Sequence, residues 1–162
     1  MRVFGVDPGS ARLGYGVVDA VGGRHRLVDH GVLKAGRSLA FPRRLATLYD
    51  QLLEALRRHS PDVVAVEEVF HGRNPRTAIK IGECRGVALL AAVQIGASIV
   101  EYATRDVKKA VVGHGGARKD QVLWMIAREF RLDPSELGED AADALALCLT
   151  HVQRIRTHAI AP

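Results

Sequence analysis

The chain predicts an α/β fold, a mixed five-stranded sheet with helices packed on both faces. Three observations carry the prediction. Short apolar runs of strand length recur along the 162 residues, each bounded by glycine, proline or a charged residue. The first three follow one another through short connections, and after them strand and helix patterns alternate. The last third is helical in its spacing.

Residues 2–7 form a nearly continuous apolar run, as expected of a strand covered on both faces. The turn Pro8-Gly9-Ser10 leads to a second strand, Gly14-Tyr15-Gly16-Val17-Val18. Gly22-Gly23 is a turn signal, and Leu27 to Leu33 predicts a third strand. Three strands joined this way make an antiparallel meander. Leu45, Leu48, Leu52 and Leu56 then recur at helical spacing, with Arg43, Arg44, Arg57 and Arg58 elsewhere on the surface. His59-Ser60-Pro61 stops that helix. Val63–Glu67 is the fourth strand. It is reached through a helix, so it is expected to run parallel to the first. Thr77 to Gly96 predicts a helix apolar round much of its circumference, and Ser98–Tyr102 predicts the fifth strand. Thr104 is placed as the N-cap of a short helix through Val111. After the flexible Gly113-His114-Gly115-Gly116, Lys119 to Phe130 is helical, with Val122, Met125, Ile126 and Phe130 on one face and Trp124 off it. Asp140 to about Arg156 forms the last helix. No repeat, low-complexity segment or long linker divides the chain, so residues 1–162 are expected to form a single domain.

Composition narrows the function classes. Hydrophobic residues make up 48% and charged residues 25%, as in ordinary globular proteins. Lys plus Arg is 23 against 18 Asp plus Glu, an excess that favours a polyanionic partner. Cys84 and Cys148 lie on apolar helical stretches without CxxC or Cys/His spacing, which argues against zinc and against a disulfide framework. The longest apolar stretch, Gly86 to Val100, is shorter than a membrane span, so no membrane association is expected. Asp7 interrupts what would be the apolar region of a signal peptide, so the expected location is the cytoplasm.

Four acids point to chemistry. Asp7 closes the first strand, Glu67 closes the fourth, and Asp140 and Asp143 sit three apart in a helix made mostly of Ala and Leu. In sheets of this kind, ligands sit beyond the carboxyl ends of parallel strands. Bland readings exist for three of them. Asp before Pro-Gly opens turns, a strand-end Glu can be solvated, and Asp140 would suit a helix N-terminus. The neighbouring Glu68 could replace Glu67, since strand parity alone does not say which faces Asp7. Asp143 is harder to explain away. It shares a helical face with Ala144 and Leu147, which favour burial, and a buried carboxylate needs a partner. Two carboxylates 4 Å apart repel by about 1 to 4 kcal/mol. Hard oxygen donors without thiolate or histidine suit Mg²⁺ or Mn²⁺, and such sites typically hold two ions that activate water for phosphodiester hydrolysis. The small residues Ala141, Ala142, Ala144 and Ala146 would let this helix approach the sheet closely.

With these stretches in hand, the chain resembles the RuvC family of Holliday-junction resolvases, of the RNase H-like fold. The resemblance rests on Gly5-Val6-Asp7-Pro8-Gly9-Ser10 with Gly14-Tyr15-Gly16, on Glu67-Glu68-Val69-Phe70, and on Lys80-Ile81-Gly82 with Arg85-Gly86-Val87-Ala88. It continues through Glu101-Tyr102-Ala103, Val107-Lys108 and Val111-Val112-Gly113 to Asp140-Ala141-Ala142-Asp143-Ala144-Leu145-Ala146. These cover nearly the whole chain in the family's order. The motif Asp-Pro-Gly-Ser is weak by itself, whereas the ordered set is specific.

The resemblance implies a homodimer that binds a four-way DNA junction and nicks two strands symmetrically in recombination and repair. Asp7, Glu67, Asp140 and Asp143 match the family's catalytic metal-binding acids, which selects Glu67 over Glu68. Some family members carry His at the position of Asp140. Phe70 matches an aromatic linked to unstacked bases near the crossover, and core packing is its bland alternative. Lys108 and Lys119 match lysines that contact DNA phosphates. Arg73, Arg76 and Lys80, with Arg105 and Arg118, are further DNA-contact candidates from charge and position. The Thr77–Gly96 helix corresponds to the dimer-forming region. A RuvA/RuvB-type branch-migration complex is the implied partner. The rival readings are a YqgF-like RNase H-fold nuclease acting on RNA, a non-catalytic junction-binding protein, and an actin-like kinase or ATPase. For the last, 162 residues leave little room.

Overall fold

The computed structural model describes residues 1–68 and 75–160, with the side chains of residues 75 and 157–160 excepted. Strands β1 (Arg2–Pro8), β2 (Arg12–Val21) and β3 (Arg24–Lys34) form the meander, and helix α1 (Phe41–His59) follows. Strand β4 (Val63–Glu67), helix α2 (Pro75–Gln94) and strand β5 (Ser98–Tyr102) complete the sheet. Helices α3 (Thr104–Val112), α4 (Lys119–Phe130) and α5 (Glu139–Ile160) end the described chain.

The strands lie in the order β3-β2-β1-β4-β5. The meander pairs antiparallel, while β1–β4 and β4–β5 pair parallel, as the helical crossovers require. The mixed five-stranded sheet flanked by helices is therefore the expected RNase H-like arrangement. Strands β2 and β3 extend well beyond their apolar centres. Polar residues at their hairpin end still complete the backbone ladder, with Val21 opposite Arg24.

Side-chain parity divides the core in two. Val3, Val18 and Ala65 pack with α3, α4 and α5, whereas Phe4, Val6, Val17, Val64 and Val66 pack with α1 and α2. Leu48, Leu52, Ala55 and Leu56 are the buried stripe of α1. Cys84, Ala88, Ala91 and Ala92 form that of α2, leaving Ile79, Leu90 and Val93 exposed on its other side. On α4 the buried residues are Val122, Ile126 and Ala127. Met125, expected on that face, is exposed, because the stripe turns toward Ala127 where α4 meets α5.

Helix α5 lies almost on the backbone of β1 and β2. A Cβ on Gly5 would stand 2.0 Å from the Ala144 carbonyl oxygen, and one on Gly14 would stand 1.9 Å from that of Asp140. Glycine on the strands and fully buried Ala141, Ala142, Ala144 and Ala146 on the helix make this approach sterically available. Gly5 and Ala65 face α5, so Asp7 and Glu67, each two residues on, face it too. Close approach at Gly5 thereby brings Asp143 toward the strand ends.

Candidate active site

The β1 end supplies Asp7 and the β4 end supplies Glu67, one register step beyond the paired Val6 and Val66. The parity that places Ala65 against α5 settles which of the two adjacent glutamates faces inward. Glu67 lines a cavity of about 300 Å³ with Asp7 and Asp143, whereas Glu68 is exposed. Thr104, Val107, Lys108, Lys119, Val122 and Leu147 form the remaining walls.

Each carboxylate has its own arrangement. Asp7 is half-buried, and its carboxyl is pushed up to about 7, first by burial and then by the negative charges of Asp143, Glu67 and Asp140. Lys119 opposes that shift. Asp143 is also raised by burial, although Lys119 Nζ lies 3.1 Å from its Oδ2 and lowers it. The Lys119 ammonium is in turn held charged to higher pH by the Asp143 carboxylate. Glu67 Oε1 accepts a 2.5 Å hydrogen bond from the Thr104 hydroxyl. Arg85 Nε donates to the Glu67 carbonyl oxygen at 3.1 Å and pairs through its other nitrogen with Glu101. Asp140 stands outside the cavity walls, its Oδ2 2.8 Å from Arg12 Nε, yet its charge still acts on Asp7 and Asp143.

The structure thus brings Asp7, Glu67 and Asp143 to one cavity and turns Asp140 toward Arg12. Among the described residues, no three acidic, histidine or cysteine side chains are gathered closely enough to grip an ion. Repulsion accounts for this spread. Glu67, Asp143 and Asp140 turn to Thr104, Lys119 and Arg12 respectively.

Lys108 lines the cavity, as does Lys119. Arg76 and Lys80 lie on exposed positions of α2, and the Lys80 ammonium stands 5.6 Å over the Phe41 ring. Arg105 is exposed on α3, and Arg118 is paired at 2.6 Å with Asp120. Phe70 and Arg73 lie outside the described residues.

Two site residues escaped the sequence reading. Thr104 is the first residue of α3 and makes no cap; Ala103 occupies the N-cap position, and the Thr104 hydroxyl serves Glu67 instead. Its only sequence signal is its place two residues past Tyr102, the residue that pairs with Glu67. Arg12 opens β2, just beyond the Pro8–Leu13 pair. The hairpin places it beside Asp140, but nothing in its local pattern marks it.

Comparison with known proteins gives a consistent picture. The family model described as crossover junction endodeoxyribonuclease RuvC matches residues 3–151. A protein of that name from Chloroflexus aggregans is 46% identical over 151 residues, covering 93% of this chain and 92% of that one. Its counterpart from Pelobacter propionicus is 43% identical, covering 99% and 93%. Among solved structures, Thermus thermophilus RuvC in complex with Holliday junction substrate aligns with TM-score 0.88 at 36% identity, over 98% of this chain and 96% of that one. The yeast mitochondrial Holliday junction resolvase Ydc2, at 13% identity and TM-score 0.69, shares the fold, covering 96% of this chain and 80% of its own. The chain belongs to the crossover junction endodeoxyribonuclease RuvC family.

Proposed function

We propose that the whole chain acts as one nuclease domain that resolves four-way Holliday junctions by metal-dependent, paired nicking. The observation that carries this reading is the cavity at the carboxyl ends of β1 and β4, where a family member presents Asp7, Glu67 and Asp143. Crossover junction endodeoxyribonuclease activity follows from membership of the family. Its role lies in DNA recombination and repair. No observation favours an RNA substrate or a non-catalytic junction binder.

The donor set suits a hard divalent cation. The walls offer carboxylate and hydroxyl oxygens without thiolate or imidazole, and burial together with the neighbouring carboxylates holds the Asp7 proton to about 7. Asp7, Glu67 and Asp143 are proposed to hold Mg²⁺ or Mn²⁺, two ions per site, with Asp140 joining when it leaves Arg12. Such ions supply an activated water and a counter-charge for the leaving oxygen.

The protein's own groups do the rest. Thr104 holds one oxygen of Glu67, so the other stays directed by a fixed side chain. Lys119, charged and beside Asp143, is placed to meet a phosphate oxygen at the cavity mouth, and Lys108 adds a second positive charge. Arg85 secures the backbone end of β4 and thereby the position of Glu67. Exposed Ile79, Leu90 and Val93 on α2 support pairing of two copies through that helix, which would present two cavities to one junction. No described helix is long and apolar enough to cross a membrane. Action in the cytoplasm, beside a branch-migration complex of RuvA/RuvB type, completes the proposal.

The test is a strand-resolved nicking assay on a synthetic junction with Mg²⁺ or Mn²⁺. Wild type should nick two opposed strands, and Asp7→Asn should bind the junction without nicking it. Equal nicking by the variant would remove the site assignment.

A further inference from the structure

Helix α4 begins at the carboxylate cavity with Lys119 and ends, about 18 Å away at 1.5 Å per residue, in a second recess. That recess, about 640 Å³, lies where the β2–β3 hairpin meets the ends of α4 and α5. Arg24, Arg26, Arg131 and Arg156 line it. Glu129, which also lines it, stands 2.8 Å from His25 Nε2. Asp19, the acid that Arg26 reaches at 3.1 Å, is already bound by Arg2 at 2.7 Å. Among the described residues, Arg24, Arg131 and Arg156 have no acidic partner. The wall is firm on one side, where the mostly buried His25 meets the edge of the Phe130 ring at 5.7 Å.

Two further features point outward. Arg131 has φ 57°, a left-handed conformation that glycine adopts freely and arginine does not. A cation here suits the negative end of α4, but Arg128 already stands in the last turn. Trp124, the chain's single tryptophan, is 65% exposed. It shares one face of α4 with Arg128, four residues on. Along the axis of α4, the reacting site, an exposed aromatic and a recess of unneutralised guanidinium groups follow one another.

We propose that this recess, with the exposed Trp124 beside it on α4, is a second contact surface for a duplex arm of the junction. The recess takes phosphodiester groups, and Trp124 lies against the sugar–phosphate edge. The inference rests on the reading that the chain binds junction DNA. The 18 Å span corresponds to about five base-pair steps, so one arm can cover both ends of α4.

The test uses the full chain, a synthetic four-way junction and no divalent metal. Trp124 fluorescence should change on titration with the junction. Arg24→Ala combined with Arg156→Ala should weaken binding uniformly across sequences and lower the salt slope by about 2. Arg131→Gly should weaken binding while the melting temperature holds or rises, a split that a merely structural arginine would not produce. Turnover at saturating junction should stay at the wild-type value. Unchanged fluorescence together with an unchanged salt slope would overturn the proposal, as would Arg131→Gly losing fold and binding together. A tryptophan response to an acidic peptide but not to the junction would overturn it in favour of a protein partner. If wild type binds no junction at all, the functional reading falls, and this inference with it.

Discussion

Replacing Asp7 by Asn should stabilise the protein while ending its activity. The carboxyl titrates near 7 in the folded chain against an ordinary value of 3.8. Between those values the native state carries the extra proton, so stability falls as pH rises through that window. Full linkage sets a ceiling of about 4 kcal/mol lost by neutral pH. Water reaches the half-buried group, so a realistic figure is about 1 to 3 kcal/mol. The isosteric amide carries no charge to repel Asp143 and Glu67. At pH 8 without divalent metal, Asp7→Asn should therefore melt roughly 3 to 10 °C above wild type. At pH 4, where Asp7 is protonated, the difference should vanish. Adding Mn²⁺ should raise the wild type and narrow the gap. The assay is thermal unfolding across pH with and without chelator. Equal melting temperatures at pH 8, or a gain that ignores pH, would refute the electrostatic reasoning.

Other perturbations probe the neighbours. Arg12→Ala releases Asp140 and should tighten Mn²⁺ binding by about 1.5- to 5-fold in calorimetry, the range of an exposed ion pair. In an Asp140→Asn background the same change should do nothing. Thr104→Val frees Glu67 and should slow cleavage roughly 3- to 10-fold with junction affinity unchanged. A binding defect of equal size would contradict a role confined to Glu67. Gly5→Ala forces a Cβ against the Ala144 carbonyl and should cost about 3 kcal/mol or more, read as a lowered melting temperature. Gly82→Ala, which meets open space, should hold or raise it.

The architecture was legible where physical constraints act locally. Apolar runs of strand length gave β1 and β4, leucine spacing gave α1, and the alanines of α5 foretold its close approach to the sheet, which the structure puts at Gly5 and Gly14. The choice between Glu67 and Glu68 was not legible from parity alone, because parity needs a reference face. Gly5 and Ala65 packing against the α5 layer supply it. Met125 was misplaced because the buried stripe of α4 follows α5 rather than the hydrophobicity of its own residues. Thr104 matched an N-cap locally, but its hydroxyl answers a carboxylate 37 positions earlier in the chain. Arg12 had no local signature, since its partner lies at the start of α5. In each of these cases the deciding partner comes from a distant segment.

Asp7, Glu67 and Asp143 are proposed to form the reacting centre of a junction nuclease. The most direct measurement is a nicking assay on a mobile four-way junction, resolved to the nucleotide, with Mg²⁺ or Mn²⁺ supplied. Paired nicks are expected at symmetric positions in opposed strands, absent without divalent metal and absent in Asp7→Asn, Glu67→Gln and Asp143→Asn while junction binding persists. Metal-independent nicking, or wild-type nicking by any of these three variants, would contradict it.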